Sequence, residues 1–301
     1  MTRLDLVPRS PTWFGRHRGG SGPPSRLETA PGALETPRYF DFADAQIYTV
    51  THSPPGIRRG AVLLCGPFGI ERERAYLTLV RWSRMLAVRG FEVMRFDYRG
   101  QGESTGQFED MTIARWREDA AFCAARLSAA GGGGPLILQG VRLGALIAAE
   151  LFASGSGDGL LLWEPPVSAE ALLRDTLRHN LIAQRLARSE ATPRVREQLI
   201  AALESGEHVN VDGYSWSFSL WEDAARHPLI LPPPSESRPW HALQTRSAAA
   251  PRGTQPSRPE TVDADTFWSS SSPHLVPRSE DFFRASLRWI DEQRPWPAGR
   301  A

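Results

Sequence analysis

A chain of 301 residues, 41% of them hydrophobic, can bury a sizeable core as one large α/β domain or two small ones. Its formal net charge of +1 supplies no field for nucleic acid or an anionic membrane surface, and no apolar run reaches the roughly 18 residues of a transmembrane helix. All 35 basic residues are arginine, which fits GC-rich coding bias better than phosphate binding.

Cys65 and Cys123 lack metal-ligand spacing and form no disulfide framework, so a reducing compartment is expected. Arg3 and Arg9 are not followed by an apolar stretch, which argues against a secretory signal. The expectation is a cytoplasmic protein without metal or cofactor.

Residues 1–37, rich in Pro, Gly, Arg and Ser, read as a disordered or loosely attached tail ahead of a domain at 38–301. Leu-Val-Pro-Arg-Ser occurs at 6–10 and again at 275–279, and only the second copy sits in patterned sequence. From Tyr39 to Thr51 the apolar positions suggest an antiparallel hairpin. Arg59 to Gly66 is a short apolar run expected as a buried strand. Pro67 to Ile70 forms a loop, and Glu71 to Arg89 has helical spacing, with Tyr76, Leu79, Trp82, Leu86 and Val88 as its apolar face. Phe91 to Tyr98 is the next strand, followed by a glycine-rich turn at 99–106. Met111 to Ala130 is a second helix, burying Ile113, Trp116, Ala120, Cys123 and Leu127.

Leu136 to Ala145 then joins an apolar run to the corner Gly140-Val141-Arg142-Leu143-Gly144, and helical spacing resumes at once. Strand, sharp turn and helix in this order is the setting of a Gly-x-Ser-x-Gly nucleophile elbow, with Arg142 in the middle position. Gly159 to Pro166 gives another strand ending in Glu164. Strands alternating with helices imply right-handed βαβ units and a mostly parallel sheet. After Pro166 the pattern changes. Leu172, Leu173, Leu177, Leu181, Ile182 and Leu186 recur at helical spacing, and aromatic residues follow from Tyr214 to Trp221. The block at about 168–228 reads as a helical cap inserted over the sheet, either a substrate-shaping lid or plain packing. Residues 229–275 are loop-like, apart from a late strand at about Trp240 to Thr245, and Ser279 to Gln293 is a closing helix.

Leu-Leu-Cys-Gly-Pro-Phe-Gly at 63–69, Phe-Asp-Tyr-Arg-Gly-Gln-Gly-Glu-Ser at 96–104 and the corner at 140–144 together resemble the α/β-hydrolase superfamily. The likeness covers roughly residues 58–167. The Gly-x-Arg-Leu-Gly corner resembles the subgroup that includes exosortase-A-associated hydrolase-like proteins. The resemblance implies an α/β-hydrolase fold and a hydrolase of an ester, thioester or related acyl bond. Fold alone does not license a reaction.

In chain order, nucleophile, acid and base would fall on Arg142, Glu164 and His274, with His241 a rival base. A guanidinium stays protonated and has no available lone pair, so Arg142 cannot be the nucleophile. Ser104 and Cys65 are possible substitutes, each more simply read as a turn hydroxyl and a small core residue. Asp97 and Arg99 are read as fixing the glycine turn. Backbone amides around Phe68, Gly69 and Leu143 would form the oxyanion or anion hole, unless they only cap a helix. A cation at a helix N-terminus is unfavourable by roughly 0.3–1 kcal/mol, so something negative should face Arg142. Glu164 is the favoured partner, and a bound carboxylate or phosphate the other. Three functions stay open. The chain could be a hydrolase with a non-standard site, an inactive homologue binding a small acyl or anionic molecule, or a partner-binding protein.

Overall fold

The computed structural model describes residues 27–30, 32–130, 134–186, 195–233, 235–246, 259–269, 278–293 and 296. Strands β1 (Leu27–Ala30), β2 (Ala33–Phe42) and β3 (Ala45–Ser53) form an antiparallel start. β4 (Gly60–Cys65), α1 (Gly69–Val88), β5 (Phe91–Phe96), α2 (Ile113–Ala129), β6 (Leu136–Val141), α3 (Leu143–Ala153) and β7 (Gly159–Trp163) then alternate. Between β7 and the strand β10 (Trp240–Thr245) lie α4 (Ala169–Leu186), α5 (Arg196–Glu204), the hairpin β8 (Val209–Val211) with β9 (Tyr214–Trp216), and α6 (Phe218–Ala224). β11 (Glu260–Val262) and α7 (Glu280–Glu292) close the chain.

The nine-stranded sheet has the order β1-β2-β3-β5-β4-β6-β7-β10-β11 and is parallel from β5 to β11. Strand alternation builds two cores. Val62, Leu64, Ile137 and Leu161 face α1 and α7, where Leu79, Trp82, Phe282 and Phe283 pack. Leu63, Cys65, Leu138 and Leu160 face α2 and α3, where Trp116, Cys123, Leu146 and Phe152 pack. Both faces are covered, so β4 and β7 are apolar along their whole length, as parallel strands buried on both sides tend to be, and the one polar side chain of β6, Gln139, accepts a hydrogen bond from Trp82 Nε1. This is the expected α/β-hydrolase fold, a mostly parallel sheet flanked by helices.

Three sequence expectations change. The sheet begins at Leu27, inside the segment read as a tail, because Leu27–Ala30 pairs with β2 and Leu34–Pro37 pairs with β3. β11 arises in a stretch that read as loop, paired along only three residues to β10. Tyr76 and Val88 of α1 are exposed, at 45% and 56%. Val88 lies nine positions after Leu79, which at about 100° per residue is the opposite side of the helix. The α2 face is buried as read, and the late strand occupies Trp240–Thr245. Among the described residues no helix is long and apolar enough to cross a membrane.

Candidate active site

The site forms where β4, β6, β7 and β10 end side by side. β6 passes into α3 through one residue, Arg142, whose backbone is held at φ 56°, ψ −118°. That conformation is sparsely populated for a residue with a Cβ and persists only where its surroundings over-determine it. Here the surroundings are two close approaches. A Cβ on Gly140 would come within 2.3 Å of the Gly144 carbonyl oxygen. One on Gly144 would lie 2.1 Å from the Cys65 carbonyl oxygen. Arg142 N donates to Trp163 O at 3.0 Å, and Arg142 O accepts from Ala145 N at 2.9 Å. The corner is therefore a tight strand-to-helix turn closed by glycines, with an arginine at its tip.

The guanidinium folds onto Glu71, in the first turn of α1. Nε lies 3.2 Å from both carboxylate oxygens and Nη2 3.0 Å from Oε1. The two side chains are 18% and 12% exposed. Burial works against the charged guanidinium, and Glu71, with smaller contributions from the charges of Glu164 and Asp175, outweighs it, leaving Arg142 more basic than usual. The arrangement is electrostatically consistent, because Glu71 gains both a cation and the positive end of the α1 dipole. The Trp268 ring lies 5.8 Å from the guanidinium carbon.

Glu164 is therefore not the partner of Arg142. It follows β7 with φ 49°, donates its N–H to Leu243 O at 2.8 Å, and turns its carboxylate to the Thr245 N–H at the end of β10. The expected pair fails because the neighbouring strand reaches that carboxylate first. Burial pushes the Glu164 carboxyl above the ordinary carboxylate range, and Glu71 adds to this, while Thr245 and the charge of Arg142 oppose it.

Phe68 is buried and extended, and caps α1 without a side-chain bond. Gly69 needs its φ of +55° to enter the helix, and its N–H donates to Gln101 Oε1 at 2.7 Å. Gly69 thus leaves the expected anion hole, its amide taken by the glycine-rich turn. Among the described residues, neither the Phe68 N–H nor the Leu143 N–H meets an acceptor. The β8–β9 hairpin lies close above. A Cβ on Gly69 would be 3.6 Å from the Tyr214 ring, and Trp216 packs on Phe68 with centroids 5.9 Å apart. Only about 10 Å³ remains open among Phe68, Glu71, Thr176 and Tyr214.

The substitute nucleophiles are spent. Ser104 Oγ donates to Asp97 O at 2.6 Å and accepts from Tyr48 N at 2.8 Å. Cys65 is fully buried, and burial pushes its thiol up to about 12. Asp97 accepts from Arg72 and from the Glu103 N–H, while Arg99 pairs with Asp119 and Glu118, so both hold the turn as read. His241 lies earlier on β10, bonded to Glu260 at 3.0 Å and stacked on Trp289, away from the strand's C-terminal end. His274 lies outside the described residues. Glu71 was missed as a site residue. An acid in the first turn of the helix after β4, the strand beside the elbow strand, was the available signal.

A family model described as serine aminopeptidase, S33, matches residues 56–217. No curated protein matches the chain. Among solved structures, Est1E from Butyrivibrio proteoclasticus is 14% identical with a TM-score of 0.54, covering 85% of this chain and 98% of that one. XC6422 from Xanthomonas campestris, an α/β serine hydrolase without a lid, is 15% identical with a TM-score of 0.53, covering 87% and 95%. An α/β serine hydrolase homologue from Coxiella burnetii is 20% identical with a TM-score of 0.37, and the match spans 44% of this chain and 63% of that one.

Proposed function

Because the chain belongs to the serine aminopeptidase S33 family of α/β hydrolases, we propose that it is a member without a covalent acyl-enzyme route. Its elbow corner holds the carbonyl or carboxylate oxygen of a small acyl or anionic ligand. The observation that carries this reading is the Arg142 guanidinium, bound by both oxygens of Glu71 where a nucleophile would stand. Phe68 N–H and Leu143 N–H are the donors for the ligand oxygen, helped by the α3 N-terminus. The strained backbone at Arg142 and Glu164 supports a site kept for use, since positive φ at two adjacent strand ends costs about 1–3 kcal/mol each. The elements from α4 to α6 are proposed as the cap that shapes access. The Gly-x-Arg-Leu-Gly corner supports membership of the arginine-elbow subgroup resembling exosortase-A-associated hydrolase-like proteins, and the two buried free thiols support a cytoplasmic location.

A second reading has one observation in its favour. Glu164 is a carboxyl made more basic by burial, the property of a general base that activates water directly on an ester or thioester. His274, the expected base, would then share that work.

The test combines a fluorophosphonate probe, a panel of aryl esters from acetate to octanoate, and thermal melts with butyrate. The expected result is no labelling, no hydrolysis above background, and a butyrate-induced rise in Tm that Arg142→Ser abolishes. Probe labelling, or a melting shift unchanged in Arg142→Ser, overturns the first reading. Ester turnover lost in Glu164→Gln would establish the second.

A further inference from the structure

On the opposite flank of the α1 N-terminus, a groove of about 430 Å³ opens between that helix and the sheet face of β2, β3 and β5. Small-molecule sites span about 300–1,000 Å³. Tyr39 and Tyr48, opposite each other in register, line it with ring centroids 5.1 Å apart. Tyr76 of α1 forms the other wall, with the Arg95 guanidinium over its ring at 5.3 Å.

The charged groups of this groove are not equivalent. Arg72 is chelated by Asp97 at 2.9 and 2.7 Å. Glu73 accepts the Tyr214 hydroxyl at 2.7 Å, and Glu103 faces the Tyr39 hydroxyl at the exposed rim. Arg95 differs. Its Nε donates to His52 Nε2 at 3.0 Å, and among the described residues it makes no ion pair and neither Nη meets an acceptor.

An arginine Nε can only donate, so His52 Nε2 must carry its lone pair. Its Nδ1 faces Glu35 Oε1 at 3.4 Å, and Arg84 holds Glu35 from the other side. Burial and the charge of Arg95 push His52 down to about 4, so the imidazole is neutral at ordinary pH. A buried neutral group thus fixes the direction of Arg95 without cancelling its charge. The remaining Nη pair is the fork that takes a carboxylate through two parallel N–H···O bonds.

We propose that this groove is a second ligand site, one that takes a planar aromatic carboxylate. The carboxylate sits on the Arg95 fork and the ring packs against Tyr39 and Tyr48. An organic cation would meet Arg95, and a straight-chain acid would forgo the aromatic walls. The site is independent of the elbow and of the function assigned there.

Titration of the full chain with benzoate, by calorimetry and by tyrosine ring-proton shifts, tests it. Saturable binding is expected, weaker by about tenfold or more in Arg95→Gln. Tyr39→Ala, at a half-exposed position that tolerates truncation, should also weaken it, and this variant decides the matter if Arg95→Gln does not fold. The ring-proton shifts should fall on Tyr39 and Tyr48, which line this groove and not the elbow, and benzylamine should not displace benzoate. The proposal is overturned by absence of saturable binding to the folded parent chain, or by equal binding in Arg95→Gln and Tyr39→Ala. Shifts that leave the Tyr39 and Tyr48 rings unmoved, or displacement by benzylamine, overturn it equally.

Discussion

Arg142 stands where a lone cation is electrostatically unfavourable, and Glu71 answers it from a second helix N-terminus. Arg142 adds a cation to the positive end of the α3 dipole, and Glu71 offsets that charge while complementing the dipole of α1, with the Trp268 ring 5.8 Å from the guanidinium carbon. A double-mutant cycle of Arg142→Ala with Glu71→Ala should give a coupling of about 1–3 kcal/mol by urea denaturation, below the ~3–5 kcal/mol cost of breaking a fully buried pair because both ends keep some solvent. A coupling near zero would mean that the two charges merely lie near each other. The glycines make a sharper case. Gly144→Ala drives a Cβ into the Cys65 and Gly66 carbonyl oxygens, at 2.1 and 2.5 Å, with backbone on both sides and nothing flexible to give way. Loss of about 3 kcal/mol or more, or loss of soluble protein, is expected on a thermal melt. Wild-type stability in that variant would show that the corner can open.

Among the elements, α6 is joined to α3 through His227. His227 Nδ1 lies 2.7 Å from Glu150 of α3, and Nε2 lies 3.2 Å from Asp223 of α6. Asp223 also accepts the Ala114 N–H at the start of α2. Arg117 approaches Glu150 at 3.7 Å and Arg226 approaches Asp223 at 3.6 Å, so each carboxylate is shared. Burial opposes the imidazolium, and the two carboxylates outweigh it, raising the pKa of His227. A folded pKa above the unfolded value of about 6.5 means that the contribution is complete below about pH 6.5 and is lost as pH rises through the raised value. The stability difference between the parent and His227→Gln, followed by urea melts from pH 5 to 9 (a range of about two units either side of neutrality), should therefore shrink as pH rises. A difference that grows with pH would contradict the bridge.

On the scale of the whole molecule, the sheet decides what counts as the domain. β1 and the first half of β2 form its outer edge, and Glu35 of β2 joins Arg84 of α1 and His52 of β3. Deleting residues up to Pro37 should lower Tm relative to a chain begun at Leu27, because it uncovers the β3 edge and takes Glu35 away from Arg84 and His52. Equal melting temperatures would show that this edge adds nothing.

How much of this was legible varied with the range of the interaction. The elbow glycines, the α2 face from Ile113 to Leu127 and the Trp240–Thr245 strand could be read from periodicity and from the residue types a tight corner demands. Those signals are local, because the period of a helix or strand and the steric demand of a corner are written in neighbouring residues. β1 and β11 were not legible, since strands of four and three residues are too short to show a period and exist through their neighbours. The partner of Arg142 was decided by tertiary structure alone. Glu164 adjoins it across β6 and β7, yet β10 supplies a backbone N–H that claims that carboxylate, and the strand order delivers Glu71 from a segment 71 residues away. A charge near a helix end announces that it needs an opposite charge. Which one it gets depends on which competing donors the folded sheet brings within reach.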